Sequence, residues 1–246
     1  MIVTTLAENP ELARTIDDFP GCWPEYMAHH RLSNVFYEDI APAFAEFCLV
    51  AVDPADPGRP LAKAYSLPVA WPDDPTRLPP DGHDAIILQA LADRAANRRG
   101  TLAAAVEITV QTWARGRGLS HRMLDAMRAT AAHHGLRSLV APVRPTATAA
   151  HPRLSMVEYT RLTRPDGLPV DPWLRVHVRA GGRIVTVAPT SMTLAGTLAQ
   201  WREWTGLPFA RSGPVDVPDT LAPVHCDVAN DHAVYVEPNV WVHHRL

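Results

Sequence analysis

Lysine is almost missing from this chain: Lys63 is the only one, against 22 arginines in 246 residues. A Walker-type phosphate loop is thereby excluded, because it needs a lysine directly after a glycine and Lys63 follows Ala62. Cysteine is scarce too. Cys22, Cys48 and Cys226 are odd in number and far apart, which excludes a disulfide framework and suits reduced thiols in a cytoplasm. No run approaches the roughly 20 apolar residues that cross a bilayer. The N-terminal stretch has no basic region followed by an apolar core, so no secretory leader and no membrane partner are expected. A net charge of −3 offers no cationic surface for coating nucleic acid. Hydrophobic residues at 47% and charged residues at 20% exclude wholesale disorder.

Proline is abundant instead, with 24 residues against a usual share of about 5%. The prolines cluster at 54–60, 68–80 and 142–172, where they predict irregular segments. None of these is long and polar enough to be a flexible linker, so a single domain over 1–246 is expected. Between the clusters, periodicity predicts strands at 44–52 and 61–70, joined by an Asp/Pro/Gly turn. A helix follows at 85–98, ended by Gly100. Residues 102–110 (LAAAVEITV) read as a strand buried on both faces, with Glu107 the exception. An amphipathic helix is predicted at 118–134, with Leu119, Met123, Met127 and Ala131 on one face and Gly135 as its stop. Next come a strand at 136–143, a short helix at 173–180, a strand at 183–188 and a helix at 194–204. Strands at 222–228 and 232–242 complete the series, a strand-rich α/β order with a central βαβ crossover.

The junction between the buried strand and the amphipathic helix carries the chemistry. Its residues are Arg115-Gly116-Arg117-Gly118-Leu119-Ser120. Two glycines let the backbone turn so that successive N–H groups converge, and the helix start adds unpaired donors with a partial positive charge. Such a concavity binds phosphate, and two arginines add permanent charge. A dinucleotide fingerprint would need glycine or alanine where His121 stands, so that motif is excluded as well.

This loop resembles the R/Q-x-x-G-x-G/A pyrophosphate loop of the GNAT superfamily of acyl-CoA N-acyltransferases. The strand with Glu107 and the helix after the loop resemble that family's fourth strand and third helix. The strand at 136–143 and the segment His177-Val-Arg-Ala-Gly181-Gly182 are similar to its fifth strand and its Y-x-x-x-G-F turn. The likeness spans about 40–190, which leaves an N-terminal helical cap and a strand-rich C-terminal extension. The chain departs from the family pattern at Ser120, at His177 for the usual tyrosine, at Arg144-Pro145, and in an insertion over 146–170.

The resemblance implies a mixed, largely antiparallel twisted sheet with splayed central strands and flanking helices. The pantetheine arm of acetyl-CoA, or of another acyl-CoA, would pair with open backbone groups of Ile108, Thr109 and Val110. Its pyrophosphate would rest on the amides of Gly116, Arg117, Gly118, Leu119 and Ser120, with Arg115 nearby. Glu107, a lone carboxylate beside the implied thioester, is the candidate base; its other reading is a glutamate paired with an arginine or facing water. His177 stands where the family places its proton donor, with Tyr159 of the insertion as the reserve. Trp23 and Tyr26 are candidates for the acceptor wall, or for a plain hydrophobic cap.

The paired histidines (29–30, 133–134 and 243–244) point in different directions along any regular element, and no H-x-x-x-H or C-x-x-C occurs, so no metal is expected. The reading is an N-acyltransferase for a small-molecule amine. Two alternatives remain open. One is a larger donor, a carrier protein or aminoacyl-tRNA; the other is a catalytically silent scaffold whose tail strand at 234–242 pairs across a homodimer.

Overall fold

The computed structural model describes residues 1–16 and 19–246. Nine strands form one sheet: β1 (Ile2–Thr5), β2 (Cys48–Val52), β3 (Ala62–Val69), β4 (Leu102–Val110), β5 (Ser138–Val143), β6 (Arg183–Gly196), β7 (Gly213–Val215), β8 (Val224–Asp227) and β9 (His232–Arg245). The helices are α1 (Arg31–Val35), α2 (Gly82–Ala95), α3 (Leu119–His133), α4 (Met156–Tyr159), α5 (Pro172–Arg179) and α6 (Leu198–Thr205). Strand order runs β1-β2-β3-β4-β5-β9-β8-β7, and β6 pairs with the other edge of β9. Every pairing is antiparallel except β4 with β5. No helix among the described residues is long and apolar enough to cross a membrane.

That one parallel pair positions everything else. β4 and β5 are held together only at Ala103–Leu139 and Ala104–Val140, and then they part. On its other edge β4 pairs with β3 along its whole length, but the register shifts between Tyr65 and Ser66, leaving Val106 as an extra residue. Such a bulge bends and twists a strand locally. Pro142, which cannot donate a ladder hydrogen bond, stands in β5 beyond the last pair with β4. From Ala105 to Val110 the β5-facing edge of β4 is therefore open.

The two faces of the sheet are covered by different helices. On one, Ile86, Ile87 and Ala90 of α2 pack on Leu67, Val69, Leu102 and Trp241. On the other, Met123, Leu124 and Met127 of α3 pack on a row of small residues, Ala51, Ala62, Ala64 and Ala103. Small strand residues let the helix lie close, and each fully buried Leu or Met contributes about 1.5–3 kcal/mol. The predicted apolar face of α3 is buried as expected, and Gly135 follows it with φ +75°. A third cluster gathers Tyr26, Trp201, Phe209 and Tyr235 beneath α6.

The structure departs from the sequence expectations in several places. The N-terminus opens with β1, an edge strand pairing with β2, ahead of the helical turns that were expected to form its cap. The strand expected at 44–52 begins at Cys48, because Ala41–Phe47 coils into a 3₁₀ turn kinked at Phe44. The strand expected at 183–188 continues to Gly196, and α6 starts at Leu198. Thr197 caps it, accepting from Gln200 N–H while the Gln200 side chain accepts from Thr197 N–H. The C-terminal strands are not an outlying extension: β9 lies between β5 and β6. β6 pairs along one of its edges, and β5 and β8 pair with the two ends of the other.

Candidate active site

Glu107 lies just beyond the point where β4 and β5 separate, on the face that carries α2 and the N-terminal segment. Its carboxylate is 7% exposed and surrounded by donors. Trp23 Nε1 donates to Oε1 at 3.3 Å and to Thr109 Oγ1 at 3.1 Å. The Thr109 hydroxyl donates to Oε1 and the Tyr37 hydroxyl to Oε2. Lys63, on β3, brings its ammonium to 3.7 Å from Oε1. The pairing alternative is thus met in part, with the lone lysine in place of an arginine.

A second charged group borders the same mouth. Arg144 follows β5, and its Nε donates to Glu237 Oε2 at 3.0 Å. Its Nη2 donates to the Asp219 carbonyl. Glu237 is fully buried and also accepts from the Tyr235 hydroxyl at 2.8 Å and from Asn239 Nδ2 at 3.0 Å. Burial opposes the Arg144 charge, but Glu237, with Tyr235 and Tyr26 nearby, more than offsets this and holds the guanidinium even more firmly protonated than usual. The guanidinium lies over the Trp23 ring at 6.0 Å, so one indole links the two charged groups.

The other expected site residues divide. Trp23 is 42% exposed and touches Glu107. Tyr26 is 2% exposed, packed against Trp201 and Tyr235; burial pushes its hydroxyl well above the usual tyrosine range. Tyr159 is buried and donates to Asp171 Oδ2 at 3.0 Å, and burial, with Asp171 beside it, raises it likewise. Asp171 in turn caps α5 by accepting from Trp173 and Leu174 N–H, so Tyr159 anchors the insertion to that helix.

His177 is not where a leaving-group donor is needed. It is 2% exposed, with Nδ1 3.0 Å from His244 Nε2, and burial draws it down to about 3, so the ring is neutral. His244 pairs with Leu139, level with Ala103 at the closed end of the splay. Four residues of strand separate that level from Glu107, about 13 Å. The motif spacing located His177 in the chain but not at the mouth.

The glycine–arginine loop has the geometry its sequence predicted. Gly116 and Gly118 adopt φ +78° and +72°, conformations that carry a penalty for any other residue. Gly118 is the N-cap of α3 and supplies no side-chain cap, so the first-turn N–H groups are left for a ligand. Arg115 and Arg117 are exposed, Ser120 is half-buried, and Leu119 packs inward, offering only its backbone. Ile108 and Val110 are half-buried; Thr109 is buried and spends its hydroxyl on Glu107, and the alternation of the β3–β4 ladder turns its backbone groups toward Lys63 and those of Ile108 and Val110 toward the open edge.

Sequence reading missed Lys63, Tyr37, Arg144 and Glu237 as members of the site. The isolation of Lys63 in composition was the one signal available. It also missed a trio with metal-ligand chemistry, His30, His83 and Asp84, drawn from separate segments. His30 Nε2 and His83 Nδ1 lie 3.2 and 3.5 Å from one oxygen, Asp84 Oδ1. Burial alone would raise Asp84, but the two imidazoles hold its carboxyl below the usual range. Ser33 N–H donates to His30 Nδ1, which in a neutral ring leaves the proton on Nε2, facing Asp84. A metal at Nε2 would require that bond to reverse. The trio therefore reads as a hydrogen-bonded tie between the N-terminal segment and α2.

A sheet whose parallel pair parts beside a buried carboxylate, with an uncapped glycine–arginine helix start next to it, has the architecture of an acyltransferase. No protein-family model matches the chain. The chain is 31% identical over 271 aligned residues to the arginine N-acetyltransferase avaD of Aspergillus versicolor, covering 98% of this chain and 93% of that one. Among solved structures, the GNAT-like decarboxylase GphF in complex with isobutyryl-CoA superposes with a TM-score of 0.60 at 17% identity, over 100% and 99% of the two chains. The loading GNAT-like domain of CurA from Lyngbya majuscula does so at 0.59 and 15%, over 96% and 93%. The chain belongs to the GNAT superfamily and is an N-acyltransferase.

Proposed function

We propose that the protein transfers an acetyl group from acetyl-CoA to a nitrogen of a small, cationic amine or guanidine acceptor of the arginine type. The observation that carries the reading is the buried carboxylate of Glu107 beside the open edge of β4. Strand groups of 105–110 that β5 leaves without a ladder partner suit the amide-bearing pantetheine arm, as in strand addition; at the end of that edge the Val110 carbonyl accepts from Cys22 Sγ at 3.6 Å and from Arg115 Nε at 3.5 Å. The convergent N–H groups at 116–120, with Arg115 and Arg117, suit the pyrophosphate. The acceptor nitrogen attacks the thioester carbonyl, the C–S bond breaks, and the nitrogen loses one proton while the thiolate gains one. Glu107 takes the proton from the acceptor, and a backbone N–H at the open edge near Val110 stabilises the developing oxyanion. The exposed indole of Trp23 beside the carboxylate gives a cation an aromatic face and a counter-charge together. Support for the acceptor class comes from the relative's name, an arginine N-acetyltransferase.

The test is mass-spectrometric detection of acetylated product from acetyl-CoA with arginine and related amines, for the native chain and for Glu107→Gln. Acetylation of arginine or a close analogue is expected. General acid–base groups contribute about 100- to 10,000-fold, so Glu107→Gln should lose turnover by that order with CoA affinity unchanged. Undiminished turnover in that variant would remove Glu107 from the chemistry.

A further inference from the structure

We propose that Lys63 is a positioning residue for Glu107, its buried ammonium fixing that carboxylate in place at the acceptor mouth. The inference rests on the reading of Glu107 as base, and deepens it. Positive charge elsewhere in the chain is supplied by 22 arginines; the lone lysine is 8% exposed and reaches the one carboxylate of the open edge.

The rings of Phe19, Tyr37 and Tyr65 surround its ammonium at 5.0, 5.4 and 5.6 Å. Aromatic faces attract a cation, and a cage of that size suits a compact ammonium better than a wide planar guanidinium. The cage and the carboxylate share a wall, since Tyr37 also donates to Glu107 Oε2. Tyr65 is the register partner of Glu107, and Lys63 that of Thr109, so β3 presents both side chains to the face on which Glu107 lies.

Stability alone gives little reason for this arrangement. Replacing a buried ion pair by apolar groups of similar volume is often neutral or stabilising. What only a cation provides is a counter-charge that fixes where its neighbour's carboxylate points. Among the described residues, the other polar groups facing Glu107 are Tyr37 and Tyr65, the Thr109 hydroxyl and the Trp23 indole, with Arg144 beyond that indole. Among these only Lys63 is a cation at ion-pair distance.

The experiment needs no acceptor. Indole ¹⁵N labelling gives one N–H resonance for each of the seven tryptophans, and loss in Trp23→Phe assigns the reporter. Trp23 Nε1 contacts Glu107, so its resonance reports where that carboxylate lies. In Lys63→Met the resonance should move, and Lys63→Arg should bring it back toward its native position. Lys63→Gln serves if the methionine variant does not fold. Melting temperature should fall in Lys63→Met, which leaves Glu107 buried without its counter-charge, and in the still-folded variant acetyl transfer should fall at least about tenfold in kcat with the KM for acetyl-CoA unchanged. An unmoved resonance in the methionine or glutamine variant overturns the proposal. Full turnover by Glu107→Gln alongside a moved resonance in Lys63→Met would instead refute Glu107 as base and leave the ion pair standing.

Discussion

Arg144→Met should be one of the most damaging single substitutions at the edge of the mouth, and the structure gives its size. Glu237 is fully buried, and the Arg144 side chain is 20% exposed. Removing the guanidinium leaves a buried carboxylate with two neutral donors, Tyr235 and Asn239, and no counter-charge. Breaking a buried pair in this way costs about 3–5 kcal/mol. In a chain of this size 1 kcal/mol corresponds to about 2–4 °C, so the midpoint should drop by about 6–20 °C. Arg144→Met combined with Glu237→Gln removes both charges, while the new amide can still accept from Tyr235. That double variant should recover most of the loss, to within about 1 kcal/mol of native. Urea unfolding and thermal melts of the native chain, the single variant and the double variant complete the comparison. A loss below about 1 kcal/mol in Arg144→Met, or a double variant no better than the single, would refute the assignment of a desolvated pair.

Gly118→Val places a β-branched residue at φ +72° with nothing within 4 Å of its Cβ, so the penalty is backbone strain of about 1–2 kcal/mol. Relaxing that strain turns the first amides of α3 aside; calorimetry should show CoA binding weakened at least about tenfold, and unchanged affinity would dissociate the loop from the cofactor. His177 and His244 are drawn down from 6.5 to about 3 and about 4, mainly by burial, so both are neutral when folded and take up protons on unfolding. Their stabilising effect is fully present above about pH 6.5 and is lost as the pH falls toward 4. Urea unfolding across that range should show uptake of nearly two protons, and His177→Gln should flatten the slope.

What the sequence made legible was local. β4 was found to the residue because an uninterrupted apolar run ends at a polar junction. The Arg115–Ser120 turn was found because glycine at positive φ is a chemical requirement. α3 was found because four side chains at i, i+4 spacing share a face. The rest depended on contacts between distant segments. Nothing near Lys63 in sequence says that it lies opposite Thr109, and nothing near Arg144 says that Glu237, some ninety residues later, is its partner. His177 failed for a related reason: spacing from a glycine fixes a helical turn, but the end of the sheet that turn faces is set by the register of β9.

The placement of β9 also dictates an order of events during synthesis. β5, β6 and β8 all pair with it, and it is the last element in sequence. Until those residues leave the ribosome, the strands before β6 and those after it have no ladder to join them. β6 in particular must wait with both edges unpaired. Such edges template association with other chains, so the nascent protein passes through an aggregation-prone interval that ends only when its final strand slots into the middle of the sheet. High contact order of this kind slows folding, which lengthens that interval.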